Sequence, residues 1–293
     1  MFKRITTLRF QILKKKLKSN IRAIIHLPYQ LQSLRDLILY QQTVQLQSAH
    51  PNPLNKFGKK CYSQTDEDGI TLEILKRIGI IKNGIYAEFG VGDGTENNSL
   101  ILATLGWKGF WVGGEDILLD WNSRHNTKFA YLKEWITLEN IVDLTKKGLA
   151  LINAEKLDVV SLDLDGNDIF FVNELLSNNI RPKLFIVEYN AKFPPPVEFE
   201  ITYDSQHTWK RDDYFGASLS SFNKLFEKFN YMLVCCNSHS GANAFFIDSA
   251  YSEYFSDVPT DINQIYVEPR FHLYYQYGHK QSLKTIEKIL NER

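Results

Sequence analysis

From residue 61 onward, short apolar runs alternate with segments whose apolar residues recur at helical spacing. Strands that alternate with helices form βαβ units, which give a parallel sheet covered on both faces. Two late runs, YMLVCCN and ANAFFID, are separated only by SHSG, which is too short for a crossover helix, so they are expected to be antiparallel neighbours. The pattern predicts an α/β fold with a doubly wound, seven-stranded, mostly parallel sheet and an antiparallel last strand. The earlier predicted strands are IYAEFG, GFWVGGE, FAYLKEWI, LDVVSLDLDG and KLFIVEYN.

Capping residues and glycines indicate where the helices begin and end. Thr65 is expected to cap the helix in TDEDGITLEILKRIG, whose first turn carries acidic residues. Thr137 is expected to cap the helix in ENIVDLTKKG, which Gly148 ends. A further helix, TENNSLILATLGW, is expected directly after the first strand and its glycine-rich corner.

Residues 1–48 predict an amphipathic N-terminal helical extension that is broken at Pro28. Nine basic residues lie between positions 1 and 35, and the first acidic residue is Asp36. Such a helix can lie on an anionic membrane surface, pair with another subunit, or form a solvated appendage. The pattern leaves these three interpretations open.

Turn-rich sequence divides the chain into three predicted parts. HPNPLN, at residues 50–55, reads as a linker. We therefore expect a basic extension with its linker over residues 1–56 and a folded α/β domain over residues 57–252. A C-terminal helical extension is expected over residues 253–293, where SLKTIEKILNER has a helical pattern.

Composition limits the cellular compartment and the kinds of binding partner that are expected. The 34 basic and 34 acidic residues give a net charge of zero, and the basic ones near the N-terminus lie outside the predicted domain, so no nucleic-acid partner is expected. Cys61, Cys235 and Cys236 have no metal-site or disulfide spacing, which fits a reducing cytoplasm. Without a signal peptide or an apolar run of membrane-spanning length, a cytoplasmic protein is expected, with peripheral contact at the inner membrane face left open.

The stretch YAEFGVGDGTENNS places a glycine-rich corner directly after the first predicted strand. Ligands of doubly wound sheets bind at the carboxyl ends of the strands, where bare glycine backbone allows a close approach. The spacing is ExGxGxG, with Glu88 ahead of Gly90, Gly92 and Gly94, rather than the dinucleotide pattern GxGxxG. A leading carboxylate suits a cationic ligand, such as the amino group of a methionine moiety beside a sulfonium.

Two acids follow the second predicted strand, at the distance from the glycine corner where a ribose binder carries one. These residues are Glu115 and Asp116, and either carboxylate can accept both ribose hydroxyls. Asn97, in the segment after the glycines, is assigned to the same ligand. The alternative is that the glycines form only a tight turn.

Six motifs in matching order resemble the FkbM-type family of S-adenosylmethionine-dependent methyltransferases, a branch of the seven-stranded, Rossmann-like class I. The resemblance covers about residues 60–250 and implies that Glu88 and the three glycines surround S-adenosylmethionine, with Glu115 or Asp116 on its ribose. It further implies O-methylation of a hydroxyl on a glycan or glycosylated small molecule, as in polysaccharide biosynthesis. The motifs are YSQTDEDGI (62–70), YAEFGVGDGTENNS (86–99), LGWKGFWVGGE (105–115), SLDLDGND (161–168), IVEYNAKFPP (186–195) and GASL (216–219).

Carboxylates and amides also follow the fourth and fifth predicted strands. Asp163 and Asp165 are candidate catalytic residues, and Glu188 and Asn190 end the neighbouring strand. Converging carboxylates without a basic residue favour a hard divalent cation, Mg²⁺ or Mn²⁺. The arrangement resembles catechol-type O-methyltransferases, which implies Asp163, Glu188 and Asn190 as metal ligands. The alternative is that the aspartates are loop carboxylates, one capping a helix and one touching the cofactor.

Residues 191–216 form a long predicted loop that is expected to cover the substrate. His207 within this loop is a candidate general base, because histidine titrates near neutral pH. The alternative is a solvated histidine without a catalytic role.

Two functions from other classes compete with methyl transfer. LDLDG contains a DxD pattern, which in a sugar-nucleotide transferase binds Mn²⁺ and a diphosphate. A non-catalytic scaffold that binds S-adenosylmethionine and uses the basic extension to hold partners is the third possibility.

Overall fold

The computed structural model describes residues 2–118 and 128–270, with side chains described from residue 13 onward. The chain forms two compact units, Met1–Gln45 and Leu46–Arg293, so the boundary lies earlier than the one expected at residue 56. The expected linker belongs to the second unit because its buried Asn52 and Asn55 amides donate to the carbonyls of Val234 at 2.7 Å and Cys236 at 2.9 Å.

Helix α1 spans Phe2–Ala49. It forms the first unit as far as Gln45, and its remaining residues belong to the second unit. The helix is continuous through Pro28, so the predicted break is wrong. A proline removes one backbone hydrogen bond and bends a helix without necessarily ending it. Within the described residues, no helix combines the length and apolarity needed to cross a bilayer.

The second unit is built on a seven-stranded sheet. Its strands are β1 Ile85–Phe89, β2 Lys108–Gly113, β3 Phe129–Lys133, β4 Val159–Leu162, β5 Leu184–Glu188, β6 Tyr231–Cys236 and β7 Asn243–Asp248. They lie in the order β3-β2-β1-β4-β5-β7-β6. Strands β1 to β5 pair in parallel, and β7 runs antiparallel to both β5 and β6. The predicted fold class is confirmed.

The order of the strands fixes where a ligand can bind. The chain moves outward from β1 through β2 to β3 and then returns to place β4 on the other side of β1. Beyond the carboxyl ends of β1 and β4, the connecting segments diverge and leave a crevice. The Asp163 amide, just past β4, still donates to the carbonyl of Phe89 at 3.1 Å, which holds the two strand ends together.

The helices of the second unit cover the sheet. They are α2 Glu67–Arg77, α3 Leu100–Thr104, α4 Ile141–Leu151, α5 Asp168–Ser177, α6 Leu219–Lys228 and α7 Ile262–Ile265, with 3₁₀ helices at Pro53–Phe57 and Ser249–Phe255. The segment after residue 252 was expected to be a separate extension, but its Phe255, Ile265 and Val267 are buried in the core. The helix predicted at residues 282–293 lies outside the described residues.

Two predicted helix caps are wrong. Helix α2 begins one residue late, after Asp66, because the Thr65 amide and hydroxyl both donate to the Glu67 carboxylate. Helix α4 begins after Asn140, whose side-chain oxygen accepts from the Thr137 amide. Both threonines are therefore engaged outside the helix that they were expected to start.

The glycine expected to end α4 lies inside it. The helix continues past Gly148 to Leu151. A Cβ atom at position 148 would lie 2.5 Å from the ring of Phe110 on β2. The glycine therefore allows the helix to pack closely on the sheet, and it does not terminate the helix.

The helix after the glycine corner is shorter than predicted. Residues 95–99 are turns, and α3 begins only at Leu100. The backbone amides in this turn are already used: Thr95 N donates to the Asp93 carboxylate and Asn97 N to the Tyr62 carbonyl. These two amides are therefore unavailable to a ligand, whereas a helix that began directly after the corner would have presented free N–H groups there.

Candidate functional site

A cavity of about 520 Å³ opens at the carboxyl edge of the sheet, beyond β1, β4 and β5. The glycine corner forms one wall, the acidic strand ends form the floor, and the β6–β7 hairpin and residue 270 form the opposite wall. Its lining residues are Gln64, Glu88, Gly90, Val91, Gly92, Asp93, Thr95, Glu96, Asn98, Asp163, Asp165, Glu188, Tyr189, Ala191, Trp209, Phe215, Ser240, Ala242, Asn243 and Arg270. The cavity therefore joins the motifs that the sequence analysis had linked to function.

Glycine is required at the first position of the corner. Gly90 has a φ of +92°, and a Cβ atom there would lie 1.8 Å from the carbonyl oxygen of Asp163. No side chain fits between the ends of β1 and β4 at this separation. Gly92 also has a positive φ, +51°, but has open space around it toward the cavity. The corner is therefore shaped by close backbone contact at Gly90 and leaves room for a ligand at Gly92.

The Glu88 carboxylate is hydrogen-bonded to the loop that follows the glycine corner. Its carboxylate accepts from the amides of Asn98 at 2.7 Å and Ser99 at 3.0 Å, and from the Ser99 hydroxyl. Only 3% of the residue is exposed, although it lines the cavity. Burial raises the pKa of Glu88 to about 7, against the lowering effect of these hydrogen bonds. These hydrogen bonds stabilise the loop that carries the glycines. They also use the carboxylate that was expected to bind a cationic ligand.

The raised pKa of Glu88 predicts a pH-dependent stability. Because the folded state favours the protonated carboxyl, the free energy of unfolding should fall as pH rises from its ordinary pKa of 4.5 through about 7. Urea unfolding across this range measures the slope, which Glu88→Gln should reduce. An unchanged slope in the variant would show that Glu88 ionises normally in the folded chain.

The other residues assigned to the cofactor lie around the cavity but do not line it. Gly94 has a φ of +84°, and a Cβ atom there would lie 3.3 Å from Ile117, while Asn97 is buried. Glu115 and Asp116 are exposed in the segment after β2, and Asp116 pairs with Lys133 at 2.6 Å. That segment touches the glycine corner, because the Leu118 amide donates to the Asp93 carbonyl at 2.9 Å. The ribose assignment stays a prediction.

Three carboxylates converge on the floor of the cavity. Asp163, Asp165 and Glu188 each offer an oxygen, and these atoms lie within 4.8 Å of one another. Burial and mutual repulsion raise the pKa values of Asp163 and Glu188 well above their ordinary ranges. One oxygen of Glu188 is buried without a hydrogen-bond partner among the described residues. Clustered oxygen ligands with an orphaned buried atom fit a hard divalent cation.

Asn190, the third predicted metal ligand, is engaged by the covering loop, and its role as a ligand stays a prediction. Its amide nitrogen donates to the carbonyls of Asp213 and Phe215, both at 3.0 Å, and its oxygen accepts from the Lys192 amide. The residue is fully buried. These bonds hold the end of the covering loop, and Asp165 takes the third position in the carboxylate cluster.

Asp168 stabilises the backbone of residues 163–167, hereafter the aspartate loop. Its carboxylate accepts from the amides of Leu164 at 3.0 Å and Gly166 at 3.2 Å, while Asp165 adopts a φ of +53°. Burial raises the pKa of Asp168 to about 7. Asp163 and Asp165 line the cavity, and neither is the N-cap of α5, which is Asn167.

His207 lies beside the aspartate loop and outside the main cavity. A Cβ atom at Gly166 would lie 2.2 Å from the His207 ring, so the glycine of LDLDG makes room for it. The histidine lines a smaller cavity of about 150 Å³. Burial raises the pKa of Asp165, and the charge of His207 opposes this shift. The proposed general base thus lies next to one of the carboxylates.

Sequence reasoning missed the opposite wall of the cavity. Gln64, Asn243 and Arg270 line it. Gln64 belongs to a quoted motif, but nothing near it along the chain indicates a site. Asn243 and Arg270 carry no local pattern that distinguishes them from other polar residues. Only the folding of the β6–β7 hairpin and the following segment onto the sheet edge brings them to the glycine corner.

No protein-family model and no curated protein matches the chain. Among solved structures, the chain is similar to a Streptococcus thermophilus protein provisionally described as a hemolysin, at 12% identity over 71% of this chain and 74% of that one, with a TM-score of 0.39. It is similar to the methyltransferase CalO1 of calicheamicin biosynthesis, solved with SAH, at 13% identity over 61% and 55%, with a TM-score of 0.33. It is also similar to the methyltransferase MycE, solved with Mg, SAH and mycinamycin VI, at 13% identity over 42% and 32%, with a TM-score of 0.28. Similarity at these TM-scores carries no argument about what this chain does.

Proposed function

We propose that this chain is an S-adenosylmethionine-dependent methyltransferase that acts on a hydroxyl group. The observation that carries the proposal is the cavity at the point where strand order reverses, bounded by the ExGxGxG corner. Six carboxyl-bearing residues line it, and the ionised ones among them, such as Asp93 with its lowered pKa, attract a sulfonium. They are Glu88, Asp93, Glu96, Asp163, Asp165 and Glu188. The acceptor class, a glycan or glycosylated small molecule, rests on the sequence resemblance.

The residues of the cavity can prepare an acceptor hydroxyl. S-adenosylmethionine supplies an electrophilic methyl group, so the protein's part is alignment and proton removal. The candidate general base for that proton is His207, which lies beside Gly166 and Asp165 of LDLDG. Trp209 and Phe215 line the cavity from the covering loop and exclude water from it.

A divalent cation, Mg²⁺ or Mn²⁺, belongs to the proposal. Asp163, Asp165 and Glu188 would hold it, and it would lower the pKa of the acceptor hydroxyl. The orphaned oxygen of Glu188 supports a positively charged ligand at this place. This set adds Asp165 to the two carboxylate ligands predicted from the sequence.

The alternative function is sugar-nucleotide transfer. The observation in its favour is that both aspartates of LDLDG belong to the carboxylate cluster. Against it, the glycine corner has no role in that reaction, and a diphosphate would enter a cavity lined by six carboxyl groups.

Calorimetry with the purified full chain tests the proposal. We expect S-adenosylmethionine and S-adenosylhomocysteine to bind at micromolar concentrations, and UDP-glucose with Mn²⁺ to give no heat. Labelled methyl transfer to a panel of glycosides should then require a divalent cation and stop when EDTA is added. Binding of UDP-glucose without binding of S-adenosylmethionine would establish the alternative. Binding of S-adenosylmethionine with no transfer to any acceptor would favour the scaffold interpretation.

A further inference from the structure

Arg270 has an unusual place in the acidic cavity. It is the one cationic side chain among the described residues that line this cavity. Within the described part of the chain, its guanidinium makes no ion pair. Burial lowers the pKa of this guanidinium despite the nearby charges of Asp66 and Glu268. A half-buried arginine near acids, in no ion pair with the described residues, can bind an anionic group of a ligand.

Of the two nearby acids, Asp66 is engaged by other groups. The carboxylate of Asp66 accepts from the side-chain amides of Gln47 and Asn237 and from the backbone amides of Ser238 and His239. These bonds fix Asp66 against the β6–β7 hairpin. The backbone amide of Arg270 donates to the Ser240 carbonyl at 3.0 Å, which anchors the arginine on the same wall.

Asn243 on the same wall offers the complementary group. Its nitrogen donates to the Glu67 carboxylate at 3.1 Å, and its oxygen is buried without a hydrogen-bond partner among the described residues. The residue is 3% exposed and lines the cavity. A buried, unpaired acceptor is costly unless a ligand supplies the donor.

We propose that Arg270 and the side-chain oxygen of Asn243 bind an α-amino-acid group, with Arg270 on the carboxylate and Asn243 on the ammonium. This inference rests on the proposed function, because the amino-acid group is that of S-adenosylmethionine. A zwitterion needs both a cation and a hydrogen-bond acceptor, and the wall opposite the glycine corner provides both. The sulfonium end of the same ligand then points toward the carboxylates of Asp163 and Glu188.

Calorimetry with matched ligands tests the assignment. S-adenosylhomocysteine carries the amino-acid group, and 5′-methylthioadenosine lacks it. Arg270→Gln should weaken S-adenosylhomocysteine binding by about 10- to 100-fold and leave 5′-methylthioadenosine binding unchanged. Arg270→Lys should restore part of the affinity, and Arg211→Gln, at an exposed position outside both cavities, should match the wild type.

The outcomes separate this inference from the proposed function. Equal losses for both ligands in Arg270→Gln would mean a structural role and overturn the inference. Unchanged binding of both would overturn it as well, while leaving the proposed function in place. If the wild-type chain binds neither ligand, both proposals fall.

A second feature, on helix α1, is independent of the cavity. Apolar residues follow alternating steps of four and three from Leu13 to Ile38, which is the 3.5-residue period of a coiled coil. The series is Leu13, Leu17, Asn20, Ile24, Leu27, Leu31, Leu34 and Ile38, hereafter the seam. Its seven apolar members are 46–69% exposed. Asn20 is the one polar member of the seam, and a buried amide is stable only where a facing polar group can hydrogen-bond to it.

We infer that the seam pairs in parallel with the seam of a second copy of this chain. In a parallel pair, Asn20 meets its own counterpart and the two amides can bond each other. The flanking positions then place Lys16 beside Ile21 and Gln30 beside Arg35 of the other copy, so no like charges meet. A fully overlapped antiparallel pair would bury Asn20 against Leu31 and place Lys14 near Arg35.

Light scattering with two matched double variants tests the pairing. The full chain should have twice its chain mass of 34.0 kDa. Leu31→Glu/Leu34→Glu, on the seam, should give the monomer mass at the same micromolar concentration. Ile25→Glu/Tyr29→Glu adds the same charge to exposed positions on the opposite face and should remain dimeric. Equal dissociation of both variants, or a monomeric wild type, would overturn the inference.

Cross-linking checks the orientation and the membrane alternative. In a Cys61→Ser background, Asn20→Cys should form a disulfide-linked dimer under mild oxidation, and Arg22→Cys, outside the seam, should not. Failure of Asn20→Cys to cross-link would rule out the parallel pair. A wild-type monomer that sediments with phosphatidylglycerol vesicles would show that this face binds membranes instead, which also overturns the pairing.

Discussion

Replacing Asp163 with asparagine is expected to weaken Mn²⁺ binding at least about 100-fold and to reduce methyl transfer at least about 10³-fold. The carboxylate lies in the cluster with Asp165 and Glu188, and an amide oxygen without charge cannot balance the cation equally. Removing one of these repelling carboxylates should also raise the free energy of unfolding of the metal-free chain. Electron paramagnetic resonance of Mn²⁺, labelled transfer and urea unfolding measure the three effects.

Asp93→Asn is the matched control for Mn²⁺ binding. Asp93 lines the same cavity, but its carboxylate accepts from the amide and hydroxyl of Thr95 and lies outside the cluster. Its replacement should leave Mn²⁺ affinity unchanged. If both variants lost the same Mn²⁺ affinity, the cation would be attracted by a diffuse acidic surface and not bound at a specific site.

Gly90→Ala is expected to destabilise the fold by more than about 3 kcal/mol. The new methyl group would lie 1.8 Å from the carbonyl oxygen of Asp163, and the φ of +92° is strained for any L side chain. Relief requires the ends of β1 and β4 to separate, which also disturbs the carboxylate cluster. Urea unfolding and calorimetry with S-adenosylmethionine should show losses of stability and of affinity together.

Gly92→Ala separates backbone strain from steric conflict. Its φ of +51° is also positive, yet no atom lies within 4 Å of the added Cβ. The expected cost is only about 1 to 2 kcal/mol, from the left-handed conformation alone. Equal destabilisation by the two alanines would mean that the contact between Gly90 and Asp163 does not limit the fold.

Most of the fold could be predicted from the sequence because its signals are local. Buried parallel strands read as short apolar runs, and SHSG is too short for anything except a hairpin between β6 and β7. Helix ends were predicted less well. Thr65, Thr137 and Gly148 have the residue types of caps, but long-range packing and neighbouring polar side chains gave them other contacts.

The positions of the candidate site residues could likewise be predicted better than their contacts. The glycine corner and the acids beyond β4 and β5 could be placed at one edge, since the carboxyl ends of parallel strands meet there. Their individual contacts could not be predicted. Asn190 was assigned to a metal and bonds the covering loop, while Glu88 was assigned to the cofactor and holds the amides of Asn98 and Ser99.

The sequence by itself determined the doubly wound sheet, the glycine corner and the acidic strand ends, because each follows from residue type and spacing along one segment. Only the tertiary structure decided which polar groups remain available to a ligand. A side chain such as Asn190 is used up by partners more than twenty residues away, and Arg270 reaches the cavity only through the folded hairpin. Hydrogen-bond partners are fixed by position in space, which no local pattern encodes.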